Sequence, residues 1–237
     1  MMPKRIIAVV TIKNGIVVQS FGYKKYLPLG KPEIIIKNLN RWRADEILVN
    51  VIDRSAGELG PDLKLLKKIQ KLRINTPIIY SGGIKSLEDA KSVINYGADR
   101  IMLESIIYAN NSSLEKISNL LGSQAIILSA PVSIEKNNLL FHYNYLDKKK
   151  IELKENSFSS INKKLVSEVM IIDYLNEGYD DKFDIKILDN IKFKLPIICF
   201  GGIKSEKKIK QILKKKNVVA IGIGNSLNYR ENAIQKI

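Results

Sequence analysis

Apolar positions along this 237-residue chain fall in short, dense runs, separated by stretches where they return every three or four positions. The first run, Arg5 to Ile12, is rich in β-branched residues and ends at Lys13-Asn14-Gly15, which predicts a buried strand closed by a turn. The same pattern recurs at Glu46 to Ile52, Pro77 to Ser81, Arg100 to Leu103, Ala125 to Ala130, Glu168 to Ile172, Pro196 to Phe200 and Val218 to Ile223. Helical periodicity fills the intervals: Pro32 to Asn40, Asp62 to Ile74, Leu87 to Tyr96, Ser112 to Leu121, Ser159 to Val166, Asp184 to Ile191 and Glu206 to Lys215. The tail from Tyr229 can close as a last helix. Two stretches break the alternation. Ile16 to Phe21 reads as a short extra strand in a loop that continues through Lys24 and Lys25 to Pro32. Leu139 to Leu153 reads as a polar, aromatic hairpin.

One decapeptide occurs twice. Pro77 to Ser86 is Pro-Ile-Ile-Tyr-Ser-Gly-Gly-Ile-Lys-Ser, and Pro196 to Ser205 is Pro-Ile-Ile-Cys-Phe-Gly-Gly-Ile-Lys-Ser, half a chain length later. Arg5-Ile-Ile-Ala and Gln124-Ala-Ile-Ile extend the repeat weakly to the start of each half. Eight strands alternating with helices, without a linker and with an internal duplication, predict a (β/α)8 TIM barrel over residues 1–237, with half-barrels of about 1–120 and 121–237. A doubly wound open sheet is the main rival, but it predicts no half-chain duplication.

Composition narrows the setting. Hydrophobic residues make up 45% of the chain, enough for a large core, yet no run approaches the roughly 18 residues of a membrane span, and no signal peptide is visible. A cytoplasmic location is expected. Cys199, the single cysteine, lies inside an apolar strand and predicts packed core rather than a disulfide. The net charge of +15 is spread along the chain on solvated helix faces, so nucleic acid and membrane are not expected as partners. His142 is the only histidine and sits in the hairpin, which speaks against a histidine-based metal or triad site; no metal or cofactor is expected.

The Gly pairs suggest chemistry. In such barrels the loops after the strands form the active face, and a Gly-Gly turn followed by a helix start exposes N–H groups to an anion. Gly82-Gly83 and Gly201-Gly202 are therefore candidate phosphate cradles on opposite sides of one mouth, suited to a ligand with a phosphate at each end. Asn225 and Ser226, after the eighth strand, can complete the second cradle. Ser105 is the matching residue of the first, but Glu104 beside it would repel phosphate, so the second is expected to be the more usable.

At these residues the chain resembles the cyclase subunit of imidazole glycerol phosphate synthase. The resemblance is carried by Lys4-Arg5-Ile6-Ile7-Ala8 with Lys13-Asn14-Gly15, Ala44-Asp45-Glu46-Ile47, Gly82-Gly83-Ile84, Gly97-Ala98-Asp99-Arg100, Gly122-Ser123-Gln124-Ala125 and Leu195-Pro196-Ile197-Ile198 with Gly201-Gly202, nearly the whole chain in one register. It implies a glutaminase docked on the N-terminal face of the barrel. It also implies ammonia passing through the barrel to cyclise a bis-phosphorylated ribulosyl substrate. The family's general acid and base are aspartates ending the first and fifth strands; here Thr11 and Pro131 stand at those positions, and neither titrates usefully. Gln19 replaces a basic residue and Val51 an aspartate, while Ile172-Asp173 stands for a Thr-Ser pair. Asp53 and Asp173 offer carboxylates only at shifted positions.

The ammonia entrance of the family is a ring of alternating charges, and its counterparts here are Arg5, Glu46, Arg100 and Glu168, with one Arg for a Lys. Asp99 matches a residue facing the glutaminase. The resemblance thus implies a barrel with its ammonia end kept and its cyclase chemistry lost. Such paralogues accompany an amidotransferase that forms an amidino sugar of a surface polysaccharide. A true cyclase with displaced acid and base, and a non-catalytic barrel binding a phosphorylated small molecule, are the alternatives.

Overall fold

A computed structural model describes residues 4–104, 111–135, 138–153, 164–191 and 195–228. Eight parallel strands form the barrel: β1 (Arg5–Lys13), β4 (Glu46–Val51), β5 (Ile78–Ser81), β6 (Arg100–Leu103), β7 (Ile126–Ile134), β10 (Glu168–Asp173), β11 (Ile197–Phe200) and β12 (Val218–Ile223). They pair in the order β10-β11-β12-β1-β4-β5-β6-β7, and pairing of β7 with β10 closes the cylinder. The open-sheet rival is excluded. The twin strands β5 and β11 stand four strands apart in this ring, on opposite sides of it.

The apolar runs look uniform in sequence, but their side chains alternate between two cores. Ile7 and Val9 of β1, Leu48 of β4, Met170 and Ile172 of β10 and Ile198 and Phe200 of β11 fill the barrel interior. Their neighbours Ala8, Val10, Ile47, Val49, Val169, Ile171, Ile197 and Cys199 point outward. There they pack under helices α1 (Pro32–Arg41), α2 (Leu63–Gln70), α3 (Leu87–Asn95), α4 (Asn111–Leu121), α5 (Lys186–Asn190) and α6 (Glu206–Leu213). Helices α2, α3 and α6 start where a side chain satisfies orphan N–H groups. Asp62 accepts from Leu65 at 3.0 Å, Ser86 and Asp89 form a reciprocal capping box, and Ser205 accepts from Lys208 at 3.2 Å. None of the described helices is long and apolar enough to cross a membrane.

Several boundaries differ from expectation. The stretch Lys25–Gly30, read above as loop, is strand β3, an edge strand antiparallel to β2 (Ile16–Phe21). Gly22 (φ 59°) and Tyr23 (φ 53°) make the turn between them, and Pro28 is tolerated because β3 pairs on one side only. The fifth barrel strand runs past Ala130 and through Pro131 to Ile134, because its upper end also pairs with β8 (Leu140–Asn144) of the second hairpin. That hairpin is completed by β9 (Lys149–Glu152). Most of the helix expected from Ser159, and the tail helix from Tyr229, lie outside the described residues; Lys164 and Leu165 form a turn.

Candidate functional site

At the N-terminal end of the barrel, β1, β4, β6 and β10 each begin with a charged, inward-facing residue. Arg5 bridges Glu46 (3.3 Å) and Glu168, and Arg100 bridges the same two carboxylates at 3.0 and 2.5 Å. The four predicted residues therefore meet in one closed ring, two cations alternating with two anions. The two arginines are held differently. Arg100 also donates from Nε to the Gln124 carbonyl (3.1 Å) and from Nη2 to Ser167 Oγ (2.9 Å). Among the described residues Arg5 has only the two carboxylates, and its contact with Glu46 Oε2 lacks hydrogen-bond geometry. Asp99 is exposed on the same face, with its Oδ2 accepting from the Ile78 N–H at 2.8 Å.

At the C-terminal end a cavity of about 850 Å³ opens over the first half of the chain. Gly82 and Gly83 line one wall, Glu104 and Ser129 the floor, and the two hairpins the roof through Tyr23 and Tyr145. The hairpins meet through tyrosines: Tyr23 and Tyr145 edge to face at 5.6 Å, Tyr143 and Tyr145 at 4.9 Å, Tyr143 stacked on Tyr174 at 5.0 Å. Burial pushes the Glu104 carboxyl up to about 8 and holds the Tyr23 and Tyr145 hydroxyls well above their ordinary range. Raised in this way, Glu104 repels an anion less than the sequence alone suggests.

The second Gly pair has the same backbone and does not line that cavity. Gly82 and Gly201 have φ of 124° and 104°, and a Cβ there would lie 2.2 Å from the Val51 carbonyl oxygen or 2.5 Å from that of Asp173. In both halves the glycines are needed first for this close approach of the preceding strand. In both, a carboxylate already accepts from the Lys and Ser N–H groups that follow. Asp89 Oδ2 takes Lys85 and Ser86 at 3.0 Å each; Asp181 Oδ1 takes Lys204 at 3.0 Å and Ser205 at 2.8 Å. Around the second pair the space is closed as well. Gly201, Gly202 and Ile203 are buried. The Asn225 amide clamps the Ser20 backbone, donating to its carbonyl (2.7 Å) and accepting from its N–H (3.3 Å). Glu177 accepts from Ser20 Oγ at 2.7 Å. On the Asn225 side the loop after β10 lies against Gly202, and hairpin β2–β3 is tied to that loop and to Asn225 through Ser20. Ser226 follows Asn225 in a short 3-10 turn, and Ser105 lies outside the described residues.

These twin units, the charged ring and the barrel are accompanied by a match over nearly the whole chain: residues 5–233 fit the histidine biosynthesis protein family. The chain belongs to this family. Among its relatives, a protein provisionally named imidazole glycerol phosphate synthase subunit hisF2 in Vibrio vulnificus is 27% identical over 212 residues, covering 86% of this chain and 75% of the relative. Another provisionally so named, in Campylobacter jejuni, is 29% identical over 208 residues, 86% of this chain and 81% of the relative. The imidazole glycerol phosphate synthase subunit HisF of Methanococcus vannielii is 26% identical over 260 residues, 100% of this chain and 95% of the relative. The low identities mark a divergent, HisF-like member.

The positions that the resemblance aligns with the family's acid and base hold a threonine and a proline. Thr11 is buried in β1, level with Asn50 of β4. Pro131 pairs with Ile172, whose side chain lies in the barrel interior. Val51 faces the outer core, so Asn50 beside it is the inward residue of β4. Gln19 is buried in β2. Asp173 is turned into the loop after β10, where its Oδ2 accepts from Asn176 (2.9 Å) and from the Asp184 N–H (2.8 Å); burial raises it to about 6. Asp53 lines the cavity, with Oδ2 accepting from the Asn14 N–H at 2.7 Å. His142 is buried in β8, and burial lowers it to about 4, so it is neutral at pH 7. Sequence reasoning missed Tyr23, Asn50, Ser81, Ser129 and Tyr145. A signal was present for three of them: Asn50, Ser81 and Ser129 are polar residues interrupting apolar strands near their C-terminal ends.

Proposed function

We propose that this chain is a barrel subunit that receives a glutaminase on its N-terminal face and passes ammonia through the barrel, for amidination of a surface-polysaccharide sugar rather than formation of imidazole glycerol phosphate. The observation that carries this reading is the contrast between ends. The Arg5–Glu46–Arg100–Glu168 ring is complete, while Thr11 and Pro131 leave the cyclase positions without an acid or base. Residues kept at the entrance and lost at the reacting centre support delivery of ammonia rather than ring closure. Arg5, the less anchored and more exposed of the two arginines (28% against 13%), is the residue that swings to open the ring; Arg100 is its fixed post.

The decisive measurement mixes the purified chain with a glutaminase of the HisH type and follows glutamate release. Stimulation is expected, with Arg5→Ala altering the coupling of glutamine hydrolysis to ammonia delivery more than a change at exposed Lys91. Absence of any stimulation by the folded chain overturns the reading.

A second reading, a working cyclase whose acid and base have moved, draws on Glu104 and Asp53, both of which line the cavity. Growth of a cyclase-deficient histidine auxotroph carrying this chain would establish it; no growth despite soluble expression removes it.

A further inference from the structure

The cavity at the C-terminal mouth carries an assignment that depends on neither reading. We propose that it is a one-ended site for a sugar bearing a single anionic group, with the sugar hydroxyls inward against Glu104, Tyr23, Tyr145 and Ser129 and the anion at the lysine rim.

The floor asks for a ligand that both donates and accepts hydrogen bonds. Ser129 is 1% exposed and its Oγ has no partner among the described residues; the same holds for the hydroxyls of Tyr23 and Tyr145, and all three residues line one cavity. Buried hydroxyls without a partner are unfavourable unless something fills the space between them. Hydroxyl and neutral carboxyl groups both donate and accept, so sugar hydroxyls match them, whereas an ion of either sign satisfies only half of their capacity. The edge-to-face tyrosine pair adds an aromatic wall for the apolar face of a sugar ring.

The rim limits the charge. Lys13, Lys24 and Lys148 stand against Asp53 and Asp147, which leaves one positive charge to neutralise. Lys13 Nζ lies 3.8 Å over the Tyr26 ring, and Asp147 accepts from Asn144 Nδ2 at 3.0 Å, so part of this rim is already ordered. Among the described residues, the counterpart groups on the opposite side are already taken. Across the mouth, Asp181 occupies the Lys204 and Ser205 N–H groups, and the Asn225 amide is clamped on Ser20.

Calorimetric titration of the full chain without glutaminase tests this with ribose 5-phosphate, glucose 1-phosphate, glucose 6-phosphate, fructose 6-phosphate, fructose 1,6-bisphosphate, inorganic phosphate and ammonium chloride. At least one monophosphate should bind about tenfold or more tightly than inorganic phosphate, and the bisphosphate no more tightly than fructose 6-phosphate. Tyr145→Phe should weaken the best monophosphate by about tenfold, as expected for one lost hydrogen bond, and Glu104→Gln, which still donates and accepts, should bind within about threefold of the native chain. If Tyr145→Phe does not fold, the panel on the native chain decides. The proposal is overturned if no monophosphate exceeds inorganic phosphate, if the bisphosphate binds tenfold tighter than fructose 6-phosphate, or if only ammonium binds. Such a result alongside intact glutaminase stimulation removes the sugar site and leaves the ammonia reading standing.

Discussion

The two halves of this barrel carry the same five residues, Gly-Gly-Ile-Lys-Ser, in the same conformation, and do different things with them. In each half the first glycine lets the chain pass a carbonyl of the preceding strand, and the Lys and Ser N–H groups that follow are held by a carboxylate. In the first half that carboxylate is Asp89, from the helix itself, and the turn borders an open cavity. In the second it is Asp181, from the loop after β10; the same loop lies against Gly202, and hairpin β2–β3 is tied to it and to Asn225 through Ser20. A short motif therefore determines a turn and its local hydrogen bonds, while access to that turn belongs to distant segments packed over it. An anion-shaped feature can also be satisfied from within, so its presence alone does not make a phosphate site.

The largest effect should be common to both halves. Gly82→Ala and Gly201→Ala each place a Cβ against an immovable backbone oxygen at positive φ, and each should cost about 3 kcal/mol or more, read as loss of soluble, cooperatively unfolding protein. A mild effect at either site would separate the two turns. Next comes Asn225→Ala, which acts in the second half only. Losing two hydrogen bonds to Ser20 should cost about 2 kcal/mol in denaturant unfolding and speed proteolysis within the β2–β3 hairpin. Unchanged protection would mean that other contacts hold the hairpin.

The N-caps sharpen the comparison on a smaller scale. Ser86→Ala and Ser205→Ala should each cost about 1 kcal/mol, with Ser86 the costlier because its capping box is reciprocal. The last difference is one of pH. Folding raises the Glu104 carboxyl from its ordinary 4.5 to about 8, so between these values the folded chain keeps a proton that the unfolded chain releases. Its contribution is full below pH 4.5 and is lost as pH rises through about 8. Glu104→Gln lacks this loss, so its stability relative to the native chain should grow with pH across that window and level off above it, measured by thermal or urea unfolding.

Much was legible in the residues alone. Eight apolar runs alternating with amphipathic segments, and a decapeptide repeated half a chain apart, determined a closed barrel with twin units on opposite sides, because strand and helix periods and turn chemistry are local properties. The four charges of the ring at the N-terminal end came from the resemblance, each standing at the start of an apolar run. What only the tertiary structure decided is where the polar groups end up. A continuous apolar run does not reveal which face turns inward, so Asn50 was hidden beside Val51. Lys25–Gly30 looked like a loop because an edge strand tolerates proline and lysine. Hairpin β2–β3 runs from the cavity beside Gly82-Gly83, which its Tyr23 and Tyr26 line, across to Asn225. That crossing is made of contacts between residues about 200 positions apart, which no local pattern encodes.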